Sequence, residues 1–575
     1  MIYREIFTRK KWLFDTVIAG IVINFIALTV SLYSLLVYDR VVPSGASQTL
    51  LVLTLGIFTA ILYEYVAKKV RSGLFERLIN EIDQRLARGV YLRFLNVRLD
   101  QLPTSIGSLA SQMRGYETVR AFLTGVTTHL LVDIPYAFLF AGVIFLIADW
   151  LAVIPLVFFL LSLIIGRHYK KQVTRLAEEY NTASSFKTGL LVESVEGAET
   201  IKSGQGGWRM LSRWMSTTDK ARTHEMRMRN ITENSQHLII FFQQISYVSL
   251  IASGALLISQ GELTIGSLIA CSILSGRILA PVVAIPNQLV LWAHTKAALK
   301  ALDALWALED DHFGQQQPVI LDHIKGKYQC DNITVKYGDD IALRISNLQI
   351  KPGEKVAVLG QVGAGKTTLL RLLSGMYKPQ SGSVRLDDVD LTQVSKPILA
   401  EHIGYVHQEG RLFAGTVREN LILGLLDPGD EILLETARKT GLLETVIASH
   451  PLGLQRPISE GGSGLSGGQR QLVHLTRAFL RNPDIWLLDE PTASMDRYLE
   501  LRVRAAIDSA IKPTDTLILV THKADMLSLV DRIIVVSDQQ IVMDGPRDSV
   551  LSKLRTPKSV PSQPGSKPEP EEEIA

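Results

Sequence analysis

The sequence predicts a multi-domain membrane protein: an all-α region of six transmembrane helices, followed by an α/β domain built on a phosphate-binding loop. Three observations carry that prediction. The apolar runs long enough to cross a bilayer all lie before about Trp292. After it, Val356 to Leu359 reads as a buried strand that delivers the backbone into Gly360-Gln361-Val362-Gly363-Ala364-Gly365-Lys366-Thr367, and a helical pattern takes over at Thr368. At 575 residues the chain is too long for one core, so the two halves are expected as separate domains.

The net charge of +3 is small and gives no electrostatic case for nucleic acid. Only two cysteines occur, Cys271 in an apolar run and Cys330 in a mixed stretch, which excludes a disulfide framework and a cysteine-built zinc cluster.

Arg9, Lys10 and Lys11 precede the first apolar run, about 17–37, which is long enough to span a bilayer and lacks the short apolar core and cleavage site of a signal peptide. Comparable runs follow at about 50–67, 130–148, 151–165, 238–259 and 265–290. The links after the first, third and fifth are short, with at most one Lys or Arg each, whereas those after the second and fourth are long and basic. By the positive-inside rule the long links are cytoplasmic, which puts both termini inside as well. Residues 68–129 are amphipathic and rich in helix formers, so the spans are expected to continue as helices beyond the membrane. Asp133 and Arg277 are charges within spans, and Arg277 is the better candidate to line a wet cavity. Pro135, Pro155, Pro281 and Pro286 could kink helices at a gate or be tolerated without a role.

A polar linker at 309–318 leads to the soluble domain, 319–554, and the Pro-, Ser-, Lys- and Glu-rich residues 555–575 read as a disordered tail. In the phosphate loop, glycines let successive N–H groups turn onto a polyphosphate, Lys366 reaches the β- and γ-phosphates, and Thr367 offers its hydroxyl to Mg²⁺. Upstream, Tyr337 closes an alternating strand and is either an ordinary strand aromatic or a face for the adenine base. Ile485-Trp486-Leu487-Leu488 is a buried strand aimed at two adjacent acids. Asp489 is assigned to Mg²⁺ and Glu490 to the attacking water. Leu465-Ser466-Gly467-Gly468-Gln469 opens another helix and forms a second anion site, which makes sense if it serves the nucleotide of a partner subunit.

With those motifs in family order, the chain resembles the ATP-binding cassette (ABC) exporters, and the resemblance covers nearly all of it. It adds a Q-loop at Gln408, implied to contact Mg²⁺ and relay to the membrane domain, a D-loop around Ser494-Met495-Asp496, and a switch histidine at His522, implied to contact the γ-phosphate and the water. Thr368 belongs with the ATP-binding set, and Phe413 to Leu421 looks like an exporter coupling segment. Val37-Tyr38-Asp39-Arg40-Val41-Val42-Pro43 and Glu460-Gly461-Gly462-Ser463-Gly464 look like the inner-membrane ATPases of bacterial type I secretion.

The resemblance implies ATP and Mg²⁺ as cofactors and a homodimer with two shared ATP sites. It also implies a bacterial inner-membrane location, a periplasmic adaptor, an outer-membrane duct and an unfolded polypeptide cargo. An exporter of lipids, small amphiphiles or short peptides is the alternative. A soluble ABC ATPase of the DNA-repair kind is excluded by the six spans. Stretches near 114–120 and 204–213 are expected to carry closure of the ATPase domains to the spans. Many relatives carry a peptidase-like domain before the first span. Here that span begins within about twenty residues of Met1, and both cysteines read as structural, so cargo is expected to leave uncut.

Overall fold

Leu-, Ile- and Val-rich runs that pass into Glu-, Lys- and Arg-rich sequence without a Pro/Gly cluster give a helix no reason to stop at the membrane surface. A computed structural model shows the result. It describes residues 10–103, 105–311 and 318–555, the side chains of 10–17, 75, 78, 106, 124–134 and 555 apart. Helix α1 (Lys10–Leu36) ends in a π-helical turn, Val37–Val41, and leads to α2 (Ser47–Leu95), α3 (Ile106–Met113), α4 (Gly115–Ala148), α5 (Val153–Glu196) and α6 (Gly207–Ser259). The 49, 44 and 53 residues of α2, α5 and α6 make helices of roughly 65–80 Å, over twice the thickness of a hydrocarbon core.

Five helical stretches among the described residues are long and apolar enough to cross a membrane. The third, Pro135–Glu196, contains the 3₁₀ turn Asp149–Ala152 and so takes in both the third and the fourth expected spans. Asp149, at φ 45°, makes the reversal there. The sixth expected span is not one helix: α7 (Ile265–Val283) and α8 (Ile285–Ala307) meet at Ala284, between Pro281 and Pro286. Each proline lacks an N–H and crowds the preceding turn, which accounts for a break at that point. Arg277 is half-buried on α7, and the side chain of Asp133 lies outside the described residues.

Two compact units result, Met1–Leu95 with Leu102–Leu308, and Glu309–Ala575 with Asn96–Gln101. The piece of the first half that groups with the second is thus 96–101, and the stretches 114–120 and 204–213 remain in the helical unit. The reason is local. Arg98 N–H donates to the Glu309 carbonyl at 3.2 Å, Asp311 N–H to the Asn96 carbonyl at 2.8 Å, and the buried Arg98 guanidinium sits between Asp100 and Glu309. Part of the expected linker, 312–317, and the expected tail beyond Arg555 lie outside the described residues.

The second unit is organised by a ten-stranded sheet. Its strands are β1 (Tyr328–Tyr337), β2 (Asp340–Ile350), β3 (Lys355–Gly360), β4 (Ser381–Leu386), β5 (Val389–Asp390), β6 (Ile403–Val406), β7 (Ile485–Asp489), β8 (Thr516–Val520), β9 (Arg532–Ser537) and β10 (Gln540–Pro546). They lie in the order β5-β4-β1-β2-β10-β9-β3-β8-β7-β6. β3, β8, β7 and β6 run parallel; β7 and β8 are wholly buried, as continuous apolar strands should be, and β3 is buried through Val356, Ala357 and Val358. Both cysteines are buried, and burial pushes the Cys330 thiol up to about 12.

Helix α9 (Lys366–Leu373) follows the phosphate loop, and the buried Tyr328 hydroxyl on β1 donates to the Leu373 carbonyl at its far end, 3.0 Å away. Tyr328→Phe leaves that carbonyl without its partner. The expected cost is about 1–2 kcal/mol, or roughly 2–8 °C in the midpoint of the ATPase unit by scanning calorimetry. A midpoint that does not move would show that the bond does not anchor α9.

Candidate nucleotide site

The parallel ladder sets the site. Val520 lies opposite both Val358 and Asp489, and Val406 lies opposite Leu488, so four strands end within two residues of one another. The phosphate loop, Gln408, Asp489 and the segment leading to His522 therefore emerge together at their carboxyl ends, where α/β sheets bind ligands. They line an open cleft of about 450 Å³, with Tyr337 on one wall.

Within the loop, Gly365 holds φ 101°, and a Cβ there would come 2.6 Å from the Ala342 carbonyl. A Cβ on Gly360 would lie 2.2 Å from the Val536 carbonyl. The buried Lys366 ammonium donates to the Gly360 and Gln361 carbonyls, 2.9 Å each. Val362, Gly363, Ala364, Gly365, Thr367 and Thr368 face the cleft with it. Gln408 is exposed at its rim. Two residues on, Gly410 packs against the His474 ring so closely that a Cβ would fall 2.3 Å from Nε2. Burial pulls the His474 imidazole down to about 4, so it packs there as a neutral ring.

Asp489 is 1 % exposed, and its Oδ2 has no hydrogen-bond partner. Burial pushes its carboxyl above the usual range, while the Thr367 hydroxyl pulls it back. A buried carboxylate with a bare oxygen beside a hydroxyl is a donor set that suits a hard divalent cation. Among the described residues no three His, Cys, Asp or Glu side chains form a metal-binding group, so such an ion would draw most of its ligands from phosphate and water.

Glu490 sits at φ 47°, in the left-handed region that is uncommon for a non-glycine residue. Backbone and side-chain bonds hold it there. Its N–H donates to the Val520 carbonyl at 2.9 Å, and Gln471 Nε2 donates to its carbonyl at 2.8 Å. The carboxylate then lies 3.3 Å from His522 Nε2, which brings the two expected catalytic groups together. Tyr337, 44 % exposed, touches the Thr368 hydroxyl at 3.3 Å and meets the Tyr377 ring edge-on.

The Leu465–Gln469 segment is not among the residues lining this cleft. It opens α10 (Gly467–Arg481), where Ser466 Oγ accepts the Gln469 N–H at 3.2 Å and Gln469 Oε1 accepts the Ser466 N–H at 2.9 Å. A Cβ on Gly468 would come 2.8 Å from the Ser494 carbonyl, so this glycine also lets α10 pack against the turn holding Asp496. Asp496 itself caps α11 (Arg497–Ala510) by accepting the Leu499 N–H.

Sequence reasoning missed Asp340, Ile341 and Ala342 of β2, which complete the cleft wall, and two residues that fix the 490–496 turn. Gln471 Oε1 accepts the Ser494 N–H at 3.2 Å. Lys523 Nζ donates to the Thr492 carbonyl at 2.7 Å and to Glu500 at 2.8 Å, and so ties the His522 segment to the turn. A signal was available: each stands beside a motif, and the turn's backbone needs partners.

Residues 13–282 match the family model of the ABC transporter transmembrane region, and 343–493 match that of the ABC transporter. The cyclolysin secretion/processing ATP-binding protein of Bordetella pertussis is 28% identical over 94% of this chain and 75% of its own. The type I secretion system ATP-binding protein PrsD of Rhizobium meliloti is 28% identical over 95% and 93%. The toxin RTX-I translocation ATP-binding protein of Actinobacillus pleuropneumoniae is 29% identical over 96% and 77%. A bacterial Atm1-family ABC exporter solved with ATP bound superposes with a TM-score of 0.84 at 20% identity, covering 95% of this chain and 96% of that one.

Lys523→Met leaves Glu500, 7 % exposed, without its cation. The loss should cost about 2 kcal/mol or more and lower ATP turnover while leaving ATP affinity unchanged. Adding Glu500→Gln should restore the melting temperature but not the turnover. Turnover that recovers together with stability would reduce the pair to a structural role.

Proposed function

The chain belongs to the ABC transporters, as an exporter with membrane and ATPase domains on one polypeptide, and from that premise we propose that it drives an unfolded polypeptide across a bacterial inner membrane. The observation that carries the cargo class is the similarity to proteins named for toxin translocation and type I secretion, which runs over 94–96% of this chain. The Val37–Pro43 segment supports the same reading. The working unit is a homodimer of chains with six spans each, in which both termini are cytoplasmic. A periplasmic adaptor and an outer-membrane duct continue the path.

On this reading the residues of the cleft divide the chemistry among them. The glycine loop and Lys366 bind the ATP phosphates, and Tyr337 stacks on the base. Thr367, Asp489 and Gln408 would hold Mg²⁺, which when bound neutralises charge developing on the phosphates. Glu490 orients the attacking water, and His522, 3.3 Å from it, fixes that carboxylate and reaches the γ-phosphate. Ser466 caps α10 with its lone pair and keeps its hydroxyl proton free to donate to the partner subunit's nucleotide. Each ATP site is therefore completed across the dimer.

Removing this chain from its host and comparing the culture medium by mass spectrometry tests the cargo class. One or a few polypeptides should vanish. An unchanged set of secreted proteins with altered envelope lipids or small amphiphiles would replace this reading by the alternative.

Glu490→Gln should bind ATP normally and turn it over at least about a hundredfold more slowly, accumulating a nucleotide-bound dimer by size-exclusion chromatography. Near-normal turnover would remove Glu490 from its role. In a mixed dimer of Ser466→Arg and Lys366→Ala chains, both defects fall on one shared site and the other stays whole. Single-site photolabelling with an azido-ATP should then mark one Walker loop only, that of the Ser466→Arg chain. Label lost from that loop instead would refute the shared site.

A further inference from the structure

One conspicuous sequence motif has no part in the ATP chemistry. In Val37–Val41 the first helix widens into a π-turn, a local irregularity that recurs at functional positions. Tyr38 and Arg40 on either side of Asp39 are exposed, whereas Asp39 itself is half-buried. Its Oδ1 accepts the Gly266 N–H at 2.8 Å, and its Oδ2 accepts the Thr264 hydroxyl at 2.6 Å. Thr264 is the N-cap of α7, its Oγ accepting the Ser267 N–H at 3.1 Å. Asp39 thus places a carboxylate on the positive end of α7 and on the residue that caps it.

The contact is built closely. A Cβ on Gly266 would lie 2.5 Å from Asp39 Oδ1 and 2.6 Å from the Leu35 carbonyl, so only glycine lets α1 come this near. Asp39 and Gly266 lie 227 positions apart in the chain, and they join the first long helix to the last apolar helix pair at the short-turn end of the helical unit. That end also holds the turns 149–152 and 260–264.

An exporter must open its exit at one end of the helical unit while the other is closed, and by charge distribution the short-turn end is the exit. We infer that Asp39, Thr264 and Gly266 form a clasp that holds the exit ends of α1 and α7 together, and that the clasp releases when ATP drives the exit open. Asp39 is then a positioning residue for transport, and its role holds whichever cargo is carried. A hydrogen-bonded carboxylate suits a clasp because two directed bonds break together when α1 shifts, with little resistance before that point.

The test uses the full chain in lipid nanodiscs, with Val42→Cys and Glu262→Cys carrying spin labels and the native cysteines replaced (Cys271→Ser, Cys330→Ser). In mixed dimers with only one chain labelled, pulsed dipolar spectroscopy should give one short distance without nucleotide; with ATP in a Glu490→Gln background, a longer one should appear. Asp39→Asn, and separately Thr264→Val, should raise the long population without nucleotide by roughly tenfold, about what one charge-assisted hydrogen bond holds back. If the pair merely caps a helix, both variants melt at lower temperature with the distance distributions unchanged, and the proposal fails. It also fails if ATP leaves the labels at their short distance in an unmutated clasp.

Discussion

Everything at the nucleotide site depends on the register of four parallel strands. Because Val520 stands opposite Val358 on one side and Asp489 on the other, and Leu488 stands opposite Val406, one-residue slips are not available to any strand singly. A slip would turn a wholly buried apolar strand to present its other face and would move one catalytic group by about 3.3 Å. The core on both sides of the sheet, with Trp486, Leu487 and Ile518 fully buried or nearly so, therefore sets the positions of Lys366, Asp489 and His522. Chemistry inherits its precision from packing, and the glycine loop contributes only what packing cannot: a backbone turned toward phosphate.

Just past that ladder the chain accepts strain. Glu490 leaves the strand at φ 47°, a conformation that costs of order 1 kcal/mol for a residue with a side chain. The neighbours that hold it are backbone and amide groups, Val520 behind and Gln471 beside. The turn thereby aims the carboxylate at His522. The same turn continues to Ser494 and Asp496, bound by Gln471 on one flank and by Lys523 on the other. The Glu490 carboxylate and the segment read as facing the partner subunit are consequently held in one hydrogen-bonded piece.

How much of this was legible beforehand follows from the range of each signal. The phosphate loop, Asp489 and Ser466 stood out in the sequence because the chemistry expected of them needs contiguous residues at a strand or helix end. Glu490 with His522 was readable only as two motifs, since the 3.3 Å between them is a product of sheet register. Gln471 and Lys523 were not read, because apart from Glu500 their partners are backbone carbonyls and amides, which carry no sequence letter. In the helical unit, hydropathy marked the apolar runs, but the break at Ala284 depends on how Pro281 and Pro286 combine, and a single proline pattern leaves kink and continuity both open. The grouping of residues 96–101 with the ATPase unit arises from two backbone bonds to 309–311 and could not be read from composition.

Three helix starts show how one physical need is met in three ways. Each has N–H groups without partners inside its own helix. At α7, Thr264 and Asp39 supply oxygen acceptors from within the chain, so that terminus is closed to ligands and becomes a joint between helices. At α10, Ser466 and Gln469 satisfy each other, which uses the serine's lone pair but leaves its proton to offer outward. At α9 the capping residue is Gly365, which has no side chain to give. The partner for this terminus comes from outside the helix cap, which suits an anion. One residue at the cap thus decides how each helix start meets that need, and here glycine leaves it open, serine closes it but keeps a proton, and threonine closes it together with a carboxylate from another helix.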